Sequence, residues 1–319
     1  MPNVIAHCWY GEVIATKTPA EIISRAIKKN HEIFMLGAQG PDPFYFYHRM
    51  PWQSHKKNEY VYNYAEIIHE KHINKTFTHF ITQAKASNDD RLIAYVAGFL
   101  CHWALDMKCH PYINYETGSL TRNMGNMHQV FETQIDKGIM VMNNMSTRDF
   151  QTRKLVKIPK GAYDMIYDLF KPLFKQMDNL DLDYKEMMDS FPVFVQMQGV
   201  FYDPNFKKFK WMSRIEKLFG MAGLGTGMMV PAEYDEEMDA MNHKKRLWQD
   251  PCTGELHNES FHELATMAVG LALNCLDEFE NYLEGKGDVS AIIELIGDRD
   301  FSTGLGPGAR KKYFKADAQ

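Results

Sequence analysis

The chain of 319 residues lacks the features that define several common classes of protein. Its five cysteines are an odd number and lie far apart, so they do not have the pattern of a disulfide framework. The formal net charge of −5 at pH 7 argues against a protein that binds nucleic acid through bulk positive charge. Strand-type alternation of β-branched residues is almost absent, which disfavours the sheet-based fold classes.

Signals for export and for membrane insertion are also missing. The first residues, MPNVIAHCWYGEV, contain no basic region followed by an apolar core of signal-peptide length. No run of about eighteen or more uncharged apolar residues occurs, so the sequence predicts no transmembrane helix. We therefore expect a cytoplasmic protein; a signal peptide trimmed from the sequence would leave no trace in it.

Helix signals, by contrast, occur along most of the chain. Residues 18–21, Thr-Pro-Ala-Glu, form a capping box that predicts a helix to about Asn30. Residues 260–263, Ser-Phe-His-Glu, form another, which predicts a helix to about Leu283. Apolar residues at three- and four-residue steps predict one long helix over residues 58–85.

Neither a repeat of fixed period nor a linker between two cores is visible. We therefore expect an all-α fold with a single multi-helix domain over residues 1–319. The glycine-rich run GMAGLGTGMMVP, residues 220–231, precedes no strand–helix unit, which disfavours a nucleotide-binding loop. A mobile flap, a lipid-touching loop and a plain flexible connection remain open for it.

The stretch with the clearest chemistry is Phe99–Tyr112, which reads FLCHWALDMKCHPY. Its residues His102, Asp106 and His110 stand four apart, which places them on one face of a helix. Burying a carboxylate and two imidazoles is costly unless these groups are paired or bound to a metal. Imidazole and carboxylate are ligands of Zn²⁺, so metal ligation is the simplest interpretation.

Neighbouring residues extend this pattern. We expect the helix to begin at a cap on Ser87 and to end before Pro111, because a proline disfavours the helical conformation of the residue before it. A second pair, His128 and Glu132, also stands four apart and is either a ligand pair or a surface pair on its helix. Two cysteines that flank the first set are either further ligands or small buried residues: Cys101 and Cys109.

Further candidate ligands precede this stretch. Asp42 lies in a rigid Gly-Pro-Asp-Pro loop, where the alternative is turn chemistry alone. His69 is either a ligand or an ordinary helix histidine, and His48 is the second candidate for its place. The local spacing HEKH differs from the HExxH of metalloproteases, so His72 should face elsewhere. His7 stands in an apolar stretch and is either a core residue or a ligand.

Taken in order, these motifs resemble the zinc-dependent phospholipase C family, which shares its fold with the P1-type nucleases. The pieces that carry the resemblance span roughly the first 135 residues and are AHCWYGEV, GAQGPDPFYFYHR, the mid-helix His69, GFLCHWALDMKCHPY and HQVFE. The later segments WQDPCTGE and SFHEL also look like those of the intracellular bacterial branch.

The resemblance implies an α-helical protein with a cluster of zinc ions in a cleft. Carried over by position, one ion would be held by Asp42, His69, His102 and Asp106, a second by His110, His128 and Glu132, and a third by His7 and Asp106. In the family an N-terminal tryptophan completes the third site, whereas this chain begins Met1-Pro2-Asn3 and its Trp9 is internal. We therefore expect two or three Zn²⁺ ions.

The chemistry that follows is hydrolysis of a phosphodiester by a metal-activated water, with Asp42 orienting or deprotonating that water. A phospholipase C-like reaction on a phospholipid head group, with transient contact to a membrane surface, is the first hypothesis. The second is a P1-type nuclease or nucleotide phosphodiesterase, for which nucleic acid would be the substrate. The third is a non-catalytic helical protein with structural metal, for which four protein ligands would close each site.

Overall fold

Helices form nearly all of the regular structure in this computed structural model, which describes residues 4–47, 58–118, 125–148, 151–178, 183–221 and 223–315. The α-helices of these ranges are α1 Val4–Lys17, α2 Glu21–Lys29, α3 His31–Gly37, α4 Asn58–Glu70, α5 Ile73–Ser87, α6 Asp90–Thr117, α7 Gly125–Met142, α8 Thr152–Leu155, α9 Ala162–Asp178, α10 Tyr184–Phe201, α11 Lys207–Leu218, α12 Phe261–Leu283 and α13 Val289–Ile296. Shorter elements of the same ranges are the 3-10 helices Asp42–Phe46 and Thr226–Met228 and the antiparallel strands β1 Trp248–Gln249 and β2 Leu256–His257. The predicted all-α fold class is confirmed.

Helix α6 lies at the centre of these elements. Helices α1, α2, α3, α5, α7 and α12 all pack against it, and almost all of its 28 residues are buried. Its length and composition would allow it to cross a membrane, but 94% of its most apolar 18-residue stretch is buried inside the protein. An apolar helix that is covered on every side by other helices is the core helix of a large domain.

Two predictions about the ends of α6 are wrong. Ser87 ends α5, and Asp89 is the cap, because its carboxylate accepts the backbone N–H of the second residue of α6 at 2.9 Å. The helix also continues through Pro111, which has no N–H to donate to the Met107 carbonyl. Gly304 lies so close to that oxygen that a Cβ would come within 2.6 Å of it. The helix therefore does not end at the proline; Gly304 packs against the Met107 carbonyl that the proline leaves without a helical donor.

The single long helix predicted between residues 58 and 85 is instead α4 and α5. His72 separates them in a left-handed conformation, with φ of 57°. The carbonyl of His69 accepts the backbone N–H of Phe301 instead of a helical donor. The N–H of Asn74, at the start of α5, donates to the Asp298 carboxylate at 2.9 Å. Distant residues thus satisfy the groups that a break exposes, which local periodicity cannot reveal.

One of the two predicted capping boxes is absent. The helix predicted from residues 18–21 begins at Glu21, and no side chain of that segment caps it. Its first amides, those of Ile22 and Ile23, donate instead to the two carboxylate oxygens of Glu280 on α12, at 2.7 and 3.0 Å. The other box, at Ser260, is confirmed. A carboxylate from another helix can therefore take the place of a local cap.

Two glycines allow α3 to cross α6 at very short distance. A Cβ on Gly98 of α6 would lie 2.2 Å from the Phe34 carbonyl oxygen, and a Cβ on Gly37 would lie 2.2 Å from the Tyr95 carbonyl oxygen. Any larger residue at either position would push the helices apart. The crossing brings the chain that follows α3 onto α6 beside His102.

The glycine-rich segment after α11 is held by one buried carboxylate. Glu216 accepts hydrogen bonds from the N–H groups of Gly223, Gly225 and Thr226 and from the Thr226 hydroxyl. Four bonds to a single side chain fix the backbone here, which disfavours the flexible connection considered for residues 220–231. The 3-10 helix of this segment packs against α7.

Candidate metal centre

All eight predicted ligands belong to the described residues, and the fold brings them to one place. Five separate elements supply them: α1, the 3-10 helix after α3, the end of α4, α6 and α7. They are His7, Asp42, His69, His102, Asp106, His110, His128 and Glu132, and all are buried except His128, whose side chain is 12% exposed. Their ligand atoms form three groups, each within a span of 4.8 Å. The second candidate for the place of His69, His48, lies outside the described residues.

The first group lies between the 3-10 helix, α4 and α6. Asp42 Oδ1 is 3.4 Å from His69 Nε2 and 3.8 Å from His102 Nε2. His102 Nε2 is also 3.1 Å from Asp106 Oδ2, one helical turn further along α6. The i and i+4 spacing on α6 thus places an imidazole and a carboxylate side by side, as the sequence predicts.

The second group joins α6 to α7. His128 Nε2 lies 2.9 Å and His110 Nε2 lies 3.7 Å from the same oxygen, Glu132 Oε1. His110 is linked to the first group as well, because its Nδ1 is 3.7 Å from Asp106 Oδ2. Two imidazoles and one glutamate form the ligand set that some catalytic zinc sites use.

The third group contains His7 of α1. Its Nε2 is 3.3 Å from Asp106 Oδ1, whereas His102 approaches the other oxygen of this carboxylate, Oδ2. Its ring stacks on that of His102 with centroids 4.2 Å apart. Asp106 is therefore the centre of the cluster, with one oxygen facing His7 and the other facing His102 and His110.

Hydrogen bonds behind the cluster fix the orientation of four histidines. Each of their Nδ1 atoms lies near an oxygen that belongs to a residue outside the eight predicted ligands. The pairs are His69 with the Ala65 carbonyl at 2.8 Å, His102 with the Ala38 carbonyl at 3.2 Å, His110 with the Phe301 carbonyl at 2.8 Å, and His128 with the Thr117 hydroxyl at 3.1 Å. A carbonyl only accepts, so Nδ1 carries the proton in the first three rings and Nε2 presents a lone pair to the cluster.

Those inward-facing atoms have no hydrogen-bond partner within the described part of the protein. The atoms without a partner are the two ring nitrogens of His7, the Nε2 atoms of His69, His102 and His110, Asp42 Oδ1 and the two carboxylate oxygens of Asp106. Lone pairs of nitrogen and oxygen that face each other at 3.1 to 3.8 Å repel unless a proton or a cation lies between them. The nitrogen and oxygen donors present fit Zn²⁺ in number and in type.

Electrostatics of the buried groups agree with this arrangement. Burial disfavours the charged form of Asp106, but the neighbouring His110, His102 and His7 outweigh it and hold its pKa well below the ordinary value. Burial also lowers the pKa of His102, but the carboxylates of Asp106 and Asp42 outweigh it and raise that pKa. For His7 burial prevails and lowers the pKa. Without a metal ion the cluster thus depends on protons to balance its carboxylates.

A residue that the sequence analysis missed holds α1 in place. Asp136 on α7 accepts the backbone N–H of Ala6 at 2.8 Å and that of Ile5 at 3.4 Å, next to His7. Burial raises the pKa of this carboxyl well above its ordinary value. Asp136 continues the four-residue steps of His128 and Glu132, so the spacing was a signal for it.

A residue of the C-terminal part of the chain, Phe301, also supports the predicted ligands, and the sequence analysis did not identify it. The Phe301 carbonyl is the acceptor for His110, and the Phe301 ring lies against the rings of His69 and His102 with centroids 5.0 and 5.7 Å apart. Asp300 shapes this turn because its carboxylate accepts the backbone N–H groups of Ser302 and Thr303 at 2.8 and 2.5 Å. No sequence signal links residue 301 to the distant histidines.

The two cysteines near the ligands do not join the cluster. Cys101 and Cys109 are fully buried, and burial raises the pKa of both thiols above the ordinary value. Neither belongs to any of the three donor groups found among the described residues. A protonated thiol is a poor metal ligand, so these cysteines are small core residues.

Comparison with known families gives one match. Residues 6–182, more than half of the chain, match the family described as zinc dependent phospholipase C. Searches of curated proteins and of solved structures returned no match. The matched range contains all eight predicted ligands and Asp136, but it contains neither Phe301 nor α11.

Proposed function

We propose, since the chain belongs to the zinc-dependent phospholipase C family, that it is a zinc-dependent hydrolase that cleaves the phosphodiester of a phospholipid head group. The observation that carries this proposal is the set of buried Nε2 and carboxylate atoms that face one another without a hydrogen-bond partner among the described residues. A protein that did not bind metal would have to keep these groups protonated or paired at considerable cost.

The number of donors favours catalysis over a purely structural role. The group of His110, His128 and Glu132 offers three ligand atoms, whereas a structural zinc site closes its tetrahedron with four. Three protein ligands leave a position for water or substrate, which is the arrangement of catalytic zinc sites. The set of His110, His128 and Glu132 has the composition of such a site.

The geometry also bears on how many zinc ions the cluster would hold. His102 occurs in two of the three groups, but its Nδ1 is engaged by the Ala38 carbonyl, so one nitrogen remains to bind one ion. If that ion is shared with Asp42 and His69, the described ligands left for a third ion are His7 and Asp106. We therefore propose two firmly held zinc ions and a third that is held more weakly.

Bound zinc would supply a Lewis acid for the phosphoryl oxygens and a water whose pKa is lowered towards neutrality. We assign to Asp42 the orientation of the attacking water and the acceptance of its proton. Its Oδ1 faces two imidazoles at 3.4 and 3.8 Å and would bind the ion with them, which leaves Oδ2 to accept a hydrogen bond from a water on that ion. The hydrogen bonds behind His69, His102 and His110 keep their rings fixed while the charge changes.

Metal content and hydrolysis together test the proposal. The purified protein should contain at least two equivalents of zinc by mass spectrometry and should release the phosphorylated head group from phosphatidylcholine. Substitution His102→Ala removes one ligand and the partner of Asp106, so zinc content should fall and hydrolysis should drop at least about a thousandfold, roughly the loss of one essential catalytic element.

The matched control is His31→Ala, because His31 is a helix histidine that pairs with Glu12 in a solvent-exposed position. It should keep its zinc and its activity. A protein that contains no zinc, or a His102→Ala variant with full zinc content, would contradict the proposal. Single-stranded DNA serves as the comparison substrate, since its hydrolysis in place of the lipid would identify the nuclease reaction.

A further inference from the structure

Helix α11 and the turn after it expose large apolar side chains to solvent. Trp211 is 65% exposed, Leu218 is 80% exposed and Phe219 is 66% exposed, and Leu224 in the glycine-rich segment follows with 56%. Glu216 is the one residue of this 12-residue helix that is buried. Apolar residues that cluster on a surface mark a site of interaction with another body.

Positive charge surrounds these apolar side chains. Five of the residues in α11 are basic, namely Lys207, Lys208, Lys210, Arg214 and Lys217. The only acidic residue of the helix, Glu216, is buried and bonded to the glycine-rich segment, so it does not offset this charge at the surface. The concentration of charge contrasts with the net charge of −5 for the whole chain.

Apolar and basic side chains share one face of the helix. Residues Lys207, Trp211, Arg214 and Leu218 follow steps of four, three and four, which aligns them along α11. All of them are exposed. A shallow groove beside this face is lined by residues of both kinds, namely Arg153, Lys207, Lys208, Val200, Trp211 and Met212.

We propose that this face is a docking surface for an anionic lipid bilayer. Helices that lie at a membrane surface combine lysine and arginine with exposed tryptophan and leucine in this way. Tryptophan inserts at the level of the head groups, while the basic side chains attract anionic lipids. A second copy of the chain would bring the same positive charges together, and a polyanion without an apolar phase would leave Leu218 and Phe219 in water.

The surface is connected to the metal centre through the fold. Glu216 ties α11 to the glycine-rich segment, and the 3-10 helix Thr226–Met228 of that segment packs against α7, which carries His128 and Glu132. The role of the contact in presenting a phospholipid to the site rests on the proposed function. The contact itself can be measured without reference to catalysis.

Co-sedimentation with vesicles tests the docking. The full, zinc-loaded chain is mixed with vesicles of phosphatidylcholine alone or with vesicles that also contain about 30% phosphatidylserine, which supplies the anionic charge. One variant carries Lys207→Glu, Lys210→Glu and Arg214→Glu. Its control carries Lys17→Glu, Arg25→Glu and Lys28→Glu, which change the net charge equally at exposed positions of α1 and α2.

Wild-type protein should bind the anionic vesicles, and added salt should weaken this binding. Each basic residue near an anionic surface contributes roughly fivefold to binding, so the variant on α11 should bind at least about a hundredfold more weakly. The control should bind much as the wild-type protein does. Substitution Leu218→Ser should weaken binding about tenfold, whereas Leu247→Ser, at a residue of similar exposure elsewhere, should not.

Several outcomes would overturn the docking surface. They are absence of binding to anionic vesicles, an equal loss in both charge variants, a dimer in light scattering that Leu218→Ser dissolves, and binding of single-stranded DNA in place of vesicles. Turnover of a short-chain lipid below its micelle concentration separates the two proposals. Vesicle binding without turnover of any lipid would reject the hydrolase and keep the docking surface, and the reverse result would reject the docking surface alone.

Discussion

Helices α6 and α11 place polar and apolar residues in opposite ways. In α6 two imidazoles and one carboxylate, those of His102, His110 and Asp106, are buried within an otherwise apolar helix and face inward. In α11 the apolar side chains Trp211 and Leu218 are in solvent among basic residues, and the buried residue is a glutamate. Each arrangement is unfavourable for an isolated protein, because polar groups prefer water and apolar groups avoid it.

The comparison teaches that such exceptions need different partners. The inward-facing imidazoles and carboxylate of α6 need a partner that is small and positively charged and that fits inside the fold. The outward-facing side chains of α11 are satisfied only by something large that has both an apolar phase and negative charge. Variants that disturb one helix and leave the other intact can break or sharpen this comparison.

The largest effect is expected at the crossing that supports α6. A Cβ from Gly98→Ala would collide with the Phe34 carbonyl, so we expect a loss of about 3 kcal/mol in the free energy of unfolding. The matched control is Gly270→Ala on α12, where nothing lies within 4 Å of the new Cβ. It should stabilise the protein by about 0.5–1 kcal/mol, since alanine favours helix over glycine. Urea unfolding measures both, and similar values would show that α6 is not closely packed.

A second prediction concerns the turn behind His110. Asp300→Ala should loosen the turn that positions the Phe301 carbonyl and should weaken zinc binding about 10- to 100-fold. Competition with a chelator measures this affinity. Asp288→Ala removes a comparable acceptor at the start of α13, at a site with no contact to a ligand, and should leave zinc affinity unchanged. An unchanged affinity in Asp300→Ala would remove this turn from the support of the metal centre.

A third prediction concerns the buried glutamate of α11. Burial raises the pKa of Glu216, but hydrogen bonds from Thr226 and from the glycine amides outweigh it and lower the pKa. The lowered pKa means that stability is present above the unfolded value of about 4.3 and is lost as the pH falls below it. Glu216→Gln should cost about 1.5 kcal/mol at neutral pH and speed amide exchange of Gly223 and Gly225. Glu255→Gln, at an exposed position, should leave that exchange unchanged.

The smallest effect is a difference in pH dependence between zinc binding at α6 and vesicle binding at α11. The pKa of His102 in the metal-free protein is raised, so the ring keeps a proton above the ordinary value of about 6.5, and zinc must displace it. Zinc affinity should therefore rise with pH, by about tenfold per unit, until the raised pKa is passed. Binding to anionic vesicles should not change between pH 6 and 8, roughly, because lysine and arginine stay charged there. An equal pH dependence of zinc affinity and of vesicle binding would contradict the assignment of His102 to the metal centre and of α11 to the membrane contact.

Much of the candidate site was visible in the sequence because the predicted ligands follow helical spacing. His102, Asp106 and His110 stand one turn apart, and so do His128 and Glu132, so each helix presents its ligands on one face whatever surrounds it. The family resemblance then joined these helices to Asp42, and residues 6–182 match that family.

Predictions about helix ends were less successful because ends depend on contacts between distant parts of the chain. At the break near His72, the Phe301 N–H donates to the His69 carbonyl and the Asp298 carboxylate accepts the N–H of Asn74. At the start of α2, the Glu280 carboxylate accepts a backbone N–H. The continuation of α6 through Pro111 likewise involves a distant residue, Gly304, which packs against the Met107 carbonyl. None of these partners is near in sequence, and local patterns carry no information about them.

The sequence by itself determined that the chain is helical and which side chains could bind metal, since both follow from residue type and from the period of the α-helix. The tertiary structure decided that candidate ligands from five elements meet, that Asp136 bonds to α1 and Phe301 to His110, and that Trp211 and Leu218 stay in solvent. The physical reason is that burial and hydrogen bonding of a side chain depend on which distant segments pack around it, and spacing along the chain does not specify them.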